Sequence, residues 1–113
     1  MLLRAGSKAD RAYFEEFFGP AAQVYVVRND EELVEPANDS HFGLSGAIFT
    51  ANIEGGKALA SRIETGSVRI NTRSSTAPEL PFGGIKHSGY GRELSEFGTK
   101  ELVNQKLVVV ATW

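Results

Sequence analysis

Glycines are concentrated in one segment that could bind a ligand through its backbone, the stretch PELPFGGIKHSGYGRE (78–93). It holds four of the chain's twelve glycines and two of its four prolines. Glycine-rich loops cradle phosphates in nucleotide-binding proteins, but Gly83-Gly84 and Gly89-x-Gly91 match neither G-x-G-x-x-G nor G-x-x-x-x-G-K-S/T. Backbone N–H groups at a helix start after Gly91 could still face an anion. The spacing favours a structural function, in which the glycines supply a positive φ or let two backbone segments approach closely.

Other side chains that could take part in catalysis or binding are scattered along the sequence. His41 and His87 lie far apart in the sequence, and no neighbouring residues complete a set of metal ligands, so no metal site is predicted. The polar run NTRSST (71–76) offers hydroxyl groups and Arg73 without the G-x-S-x-G context of a nucleophilic serine. An exposed loop is the favoured interpretation of this run, and a loop that contacts a ligand is the alternative.

Glu15 and Glu16 could be considered as an acid/base pair. Adjacent residues point in different directions in most backbones, so paired-carboxylate catalysis is not favoured. One of the two carboxylates could instead accept hydrogen bonds from sugar hydroxyl groups, as carboxylates do in dinucleotide sites.

The elements that would position these residues alternate between strands and helices. Strands are predicted for residues 22–28, 45–51, 67–71 and 106–113, because these segments are rich in β-branched and aromatic residues or alternate in polarity. Helices are predicted within residues 29–39, 53–64 and 92–105. This order indicates an α/β fold, with right-handed crossovers wherever strands run parallel.

Several residues are expected to set the ends of the helices. Asp30 and Asn52 are the predicted N-caps of the first two helices. Pro36 should keep the first helix short or irregular, because proline lacks an N–H donor and clashes with the preceding turn. Gly66 is the predicted C′ residue of the second helix, and Gly98 is expected to interrupt the third.

The composition of the chain argues against several classes of function. A chain of 113 residues, 42% of them hydrophobic, can form one domain with a modest core. The net charge is −2 and no Lys/Arg cluster is present, so nucleic-acid binding is not expected. The chain has no cysteine, which excludes disulfides, thiolate metal sites and a cysteine nucleophile within it. No stretch suits a signal peptide or a bilayer span, so the predicted location is cytoplasmic.

Three motifs in order resemble the NAD(P)-dependent aldehyde dehydrogenase family, specifically the C-terminal part of its catalytic domain. They are EEFFGP (15–20), ANDSHFGLSGAIFT (37–50) and PFGGIKHSGYGRE (81–93), followed by FGTKELVNQKLVVV. The form APELPFGGIKHSGYGRELS looks most like the succinate-semialdehyde dehydrogenases. The resemblance divides the chain into a poorly matching N-terminal extension (1–12), a partial catalytic domain (13–105) and an oligomerisation strand (106–113).

The resemblance implies specific roles for a few residues. Glu16 would bind the nicotinamide ribose of NAD or NADP, and Phe18 would lie by the nicotinamide ring. Phe82 would stand near the substrate. A hydroxyl residue in the preceding loop would help hold the substrate's carboxylate, and Thr76 is the nearest match, with Ser75 as the alternative.

The resemblance also implies what the chain lacks. In the family the catalytic cysteine, the general-base glutamate and the Rossmann domain lie upstream of this segment. The reaction needs a thiolate, so the chain alone is predicted to be inactive and to bind no cofactor by itself. Pro36 departs from the uninterrupted helix expected in the family.

Partners are expected at the C-terminus. The apolar strand Leu107–Val110 would join an oligomerisation sheet, which pairs with a neighbouring subunit in the family, and an unpaired edge strand tends to associate. Another possible partner is a separately encoded aldehyde dehydrogenase fragment that carries the cysteine. The alternative functions are an interaction module that docks to itself or to a longer homologue, and an independent small α/β binding protein.

Overall fold

The computed structural model describes residues 2–4 and 8–112. In chain order the strands are β1 (Leu2–Arg4), β2 (Ala22–Val24), β3 (Phe42–Gly43), β4 (Ser45–Ile48), β5 (Ser67–Ile70) and β6 (Ile85–Lys86). The helices are α1 (Asp30–Asn38), α2 (Ile53–Ala60) and α3 (Ser95–Glu101), and a 3₁₀ turn covers Arg11–Phe14.

The strands form three two-stranded sheets. β1 pairs with β2 and β4 pairs with β5, both in parallel, while β3 and β6 are antiparallel. The α/β class with mainly parallel pairing is therefore confirmed, although the strands do not join into one sheet. β3 and β6 were not predicted, because strands of two residues are too short to show a periodicity, and β1 was not predicted because its segment shows no clear periodicity.

The β4–α2–β5 unit is the best-packed part of the chain. Ile48 lies opposite Ile70 across the parallel pair, and α2 crosses back over β5. A Cβ on the buried Gly56 would be only 2.9 Å from Thr50 Cγ2, so glycine lets the helix approach the segment that follows β4. Leu59, on the same helix, is buried against this surface.

The helix ends differ in part from the sequence predictions. Asn52 caps α2 as predicted, with its side chain accepting a hydrogen bond from Gly55 N. The predicted N-cap at Asp30 is wrong, because the side chain of Asn29 accepts from Glu32 N instead. The predicted C′ role of Gly66 is also wrong: α2 ends at Ala60, after which the chain tightens into i→i+3 turns.

Proline and glycine interrupt the helices less than expected. Pro36 lies inside α1, which has nine residues and continues past the proline to Asn38. Gly98 lies within α3, so the predicted interruption there is wrong. A Cβ on Gly98 would be 2.8 Å from Glu93 C, so glycine permits a close backbone contact at that point.

The chain buries little of its apolar surface. Among the described residues Leu59 is the one buried hydrophobic side chain. The radius of gyration is 18.6 Å, whereas a compact domain of this length has about 13 Å. The expected modest core is reduced, because the strands form separate two-stranded sheets and many large apolar side chains of the described residues are exposed.

The C-terminal segment does not form the strand expected from its sequence. Residues 103–112 are neither helical nor in a strand, and they are exposed. A strand needs a hydrogen-bonded neighbour, so its pairing with another subunit stays a prediction. No helix in residues 2–4 and 8–112 is long and apolar enough to cross a membrane, and the cytoplasmic location also stays a prediction.

Candidate functional site

Four glycines bring three backbone segments into contact, and we call Gly43, Gly66, Gly83 and Gly84 the glycine junction. Gly66 N donates to Gly43 O at 3.0 Å. A Cβ on Gly66 would lie 1.7 Å from Gly83 O, and one on Gly84 would lie 2.6 Å from the Cβ of Ser88. Such distances leave no room for a side chain. The structural interpretation of Gly83-Gly84, a close backbone approach, is therefore confirmed.

Gly89 and Gly91 differ from each other. Gly89 has φ +95° in the turn after β6, which is the conformation that favours glycine. Gly91 has open space around it, and the helix that follows begins only at Ser95, so the possible helix N-terminus at Gly91 is wrong.

Lys86 connects three parts of this region through its ammonium group. Its Nζ donates to the carbonyl oxygens of Asn38 at 2.6 Å and Ser40 at 3.2 Å, and it lies 2.8 Å from the carboxylate of Glu64. These contacts hold β6 against the end of α1 and the segment before β5. Sequence reasoning missed this role, although the G-I-K sequence belongs to the third motif.

Phe82 is held at the other side of the glycine junction. Phe82 and Glu93 exchange two backbone hydrogen bonds of 2.9 and 2.7 Å, and Arg92 Nη1 donates to Gly84 O at 2.8 Å. Phe82 is half-buried in a cavity of about 300 Å³ that Leu44 and Arg92 also line. Its backbone is thus fixed on both sides.

Glu16 lies in a different cavity, of about 410 Å³, whose wall includes several aromatic residues. The lining includes Tyr13, Phe14, Phe17, Tyr25 and Phe42, together with Glu15 and Glu16. Tyr13 packs edge-on against Phe14, with ring centres 4.7 Å apart. Glu16 is exposed, so its carboxylate can accept hydrogen bonds from a ligand. Phe18 is 95% exposed and lies on the outer surface.

An ion pair lies next to Tyr13, one of the residues that line this cavity. Lys8 Nζ lies 3.1 Å from a carboxylate oxygen of Asp39. The hydrogen bond from Lys8, and after it that from the hydroxyl group of Tyr13, holds the pKa of Asp39 below its usual value. Desolvation raises the pKa of Tyr13.

The loop 71–76 is exposed, as the favoured interpretation of NTRSST predicted. Arg69 Nη2 donates to Ser75 O at 2.8 Å, and Ser74 Oγ donates to Ser45 Oγ at 2.9 Å. The hydroxyl-bearing side chains of Ser75 and Thr76 face solvent. The roles of Glu16, Phe18, Phe82, Thr76 and Ser75 stay predictions, and Glu16 and Phe82 line separate cavities.

The chain belongs to the aldehyde dehydrogenase family, because the family's sequence profile matches residues 1–108. Within the family, the similarity is strong to succinate-semialdehyde dehydrogenases. The chain is 53% identical over 98 residues to the protein of Deinococcus radiodurans named succinate-semialdehyde dehydrogenase (NADP⁺), an alignment that covers 87% of this chain and 20% of that protein.

Solved structures agree with this assignment. The succinic semialdehyde dehydrogenase of Streptococcus pyogenes in complex with NADP⁺ superposes with a TM-score of 0.93 at 49% identity, covering 98% of this chain and 24% of that one. Betaine aldehyde dehydrogenase of Staphylococcus aureus in complex with NAD⁺ gives 0.83 at 35% identity, with 88% and 20% coverage. The chain thus spans about a fifth of the length of the relatives it matches.

Proposed function

We propose that this chain forms the C-terminal part of the catalytic domain of an NAD(P)-dependent aldehyde dehydrogenase that acts on succinate semialdehyde. The observation that carries the proposal is its 53% identity to the relative of that name. The lower identity, 35%, to a betaine aldehyde dehydrogenase favours the semialdehyde as substrate.

In this proposal the chain supplies one wall of the active site. The exposed carboxylate of Glu16 accepts hydrogen bonds from the cofactor's ribose, and Phe18 lies by the nicotinamide. An exposed carboxylate on an aromatic cavity suits a ribose, whose hydroxyl groups are donors. When bound, the cofactor accepts the hydride. Phe82 borders the aldehyde, and Thr76, or Ser75, donates its hydroxyl hydrogen to the substrate's carboxylate.

The chain supplies no thiolate, because it contains no cysteine. Formation of the covalent intermediate therefore requires a nucleophile from another segment of polypeptide. We propose that the chain alone oxidises no aldehyde.

A chimera tests the proposal. The segment of the D. radiodurans relative that aligns with this chain is replaced by this chain, and NADPH formation from succinate semialdehyde is measured. We expect the chimera to be active and the isolated chain to give no NADPH. A chimera that assembles like the relative but oxidises no aldehyde would contradict the proposal, as would NADPH formation by the pure isolated chain.

Two substitutions in the chimera test the cofactor site. Glu16→Gln should raise the KM for NADP⁺ about tenfold or more, because a hydrogen bond to a charged group contributes about 1.5–3 kcal/mol. Glu15→Gln is the matched control, since Glu15 lines the same cavity, and its effect should stay below about twofold. If the two substitutions have equal effects, the proposal that Glu16 binds the cofactor's ribose is wrong.

The exposed apolar tail favours a second candidate function, an interaction module. Leu107, Val108, Val109 and Val110 are each at least 71% exposed, and a segment of this kind is stabilised when it pairs with a second chain. We propose that Leu107–Val110 forms a strand between subunits. Light scattering should then show an oligomer of the isolated chain that Val109→Lys weakens, while Thr112→Lys, just beyond the tail, has little effect. A monomeric wild-type chain would contradict this.

A further inference from the structure

The two histidines of the chain lie directly opposite each other across β3 and β6. The register of this antiparallel pair matches Phe42 with Lys86, so the next residues outward, His41 and His87, face one another. His87 N donates to His41 O at 3.0 Å, which extends the ladder by one pair. Side chains that are directly opposed in an antiparallel pair lie on the same face, with Cβ atoms about 5.5 Å apart or less.

The imidazole rings are stacked on each other. The centres of the rings of His41 and His87 are 5.7 Å apart, with 26° between the ring planes. Phe14 stacks on His41 at 5.1 Å, and the edge of Phe42 meets His87 at 6.0 Å. These contacts keep both rings on the same face of the strand pair.

The separation of the rings suits a shared metal ion. A metal–nitrogen bond of about 2.0–2.1 Å places each ring centre about 3 Å from the metal, so two imidazoles at a tetrahedral angle have centres about 5 Å apart. To reach this geometry from 5.7 Å, the stacked rings must move slightly closer and turn about their side-chain bonds until one nitrogen of each faces the ion. Both histidines are exposed, so the ion and its water ligands have access.

The charges next to the pair do not repel a cation strongly. Lys86, adjacent to His87, is paired with Glu64 at 2.8 Å, and Lys8 is paired with Asp39, two residues before His41. Within residues 8–112 no third histidine, cysteine or carboxylate joins the pair to make a three-ligand group. Water would have to complete the coordination.

We propose that His41 and His87 together chelate one divalent transition-metal ion of the borderline class, such as Zn²⁺, Ni²⁺ or Cu²⁺. Imidazole suits these metals, whereas Mg²⁺ and Ca²⁺ prefer oxygen ligands. The site clamps the outer end of the β3–β6 pair beside the aromatic cavity that contains Glu16. The proposal does not depend on the enzymatic function proposed above.

Calorimetric titration of the untagged chain with Ni²⁺ at pH 7.5 tests the proposal. The chain has two histidines and no cysteine, so no other imidazole or thiol competes. We expect one ion per chain, no binding of Mg²⁺, and affinities weaker by on the order of 10²-fold in His41→Gln and His87→Gln, because the second bond of a chelate is intramolecular.

A displaced histidine provides the matched control. The double variant His87→Gln, Glu79→His keeps two imidazoles but places one in the exposed segment before Phe82, so it should bind like His87→Gln. Circular dichroism verifies that each variant keeps the wild-type fold, and NMR of the wild-type chain should show that one Ni²⁺ perturbs both imidazoles together. A wild-type chain that binds no Ni²⁺, or single-histidine variants that bind it equally well, would overturn the proposal.

Discussion

Gly66→Ala is expected to unfold the chain or to leave it only partly folded. The added methyl group would lie 1.7 Å from Gly83 O and 2.9 Å from Gly84 Cα. These atoms belong to the backbone, so neither contact can be relieved by a side-chain rotation. Separating the two segments would also strain the hydrogen bond from Gly66 N to Gly43 O. We expect a loss of about 3 kcal/mol or more in the free energy of unfolding.

Gly46→Ala is the matched control for this substitution. Gly46 lies in β4, opposite Val68, and a Cβ there meets no atom within 4 Å. Its effect should remain within about 1 kcal/mol and could be favourable, because alanine restricts the unfolded chain. Urea unfolding followed by circular dichroism measures both variants. If the two alanines have equal effects, the close contact at the glycine junction is not what requires glycine at residue 66.

Lys86→Met is expected to have the next largest effect on stability, a loss of about 2 kcal/mol. Methionine keeps the side chain as far as the ε carbon, but it removes the ammonium group that pairs with two carbonyl oxygens and with Glu64. Those oxygens would lose their donor in a partly buried site, where the Lys86 side chain is 26% exposed. The backbone of residue 86 has φ +56°, and methionine leaves that strain unchanged, so the measured difference reports on the ammonium group.

Lys100→Met separates this effect from the loss of an ordinary ion pair. Lys100 pairs with Glu96 at 2.7 Å on α3, and both side chains are more than half exposed. Exposed pairs at this spacing contribute about 0.3–0.5 kcal/mol. Thermal unfolding at low and high salt would show the difference: the Lys86 effect should persist in salt and the Lys100 effect should fade. A Lys86→Met variant as stable as Lys100→Met would refute the connecting role of Lys86.

Local sequence signals predicted the elements that are stabilised locally. Asn52 was identifiable as a cap because its partner, Gly55, is three residues away, and β4 and β5 have runs of side chains that favour strands. The end of α2 was not predictable, because the turns after Ala60 bond to tertiary neighbours: Asn38 Nδ2 donates to Arg62 O at 2.8 Å, and Asn38 Oδ1 accepts from Glu64 N at 2.8 Å. No local pattern encodes such contacts.

The distinction between contacts close in sequence and tertiary contacts also applies to the candidate site. Motif resemblance identified the family and selected Glu16 and Phe82, which lie within the first and third motifs. The pairing of His41 with His87 could not be predicted, because they are 46 positions apart and the register of two very short strands decides which residues meet. The importance of Gly66 was hidden for a similar reason: its close neighbour, Gly83, lies beyond the loop 71–76.

The loop 71–76 has a consequence for how substrate preference could evolve in this chain. It is fastened before its first residue by β5 and after its last by the glycine junction, and the side chains of Ser75 and Thr76 are exposed in between. The contact with Arg69 uses the backbone carbonyl of Ser75, which every amino acid possesses. Mutations at these two positions are therefore expected to have little effect on folding. In the proposed function these side chains contact the substrate, so the substrate preference could change while the stability of the chain is kept.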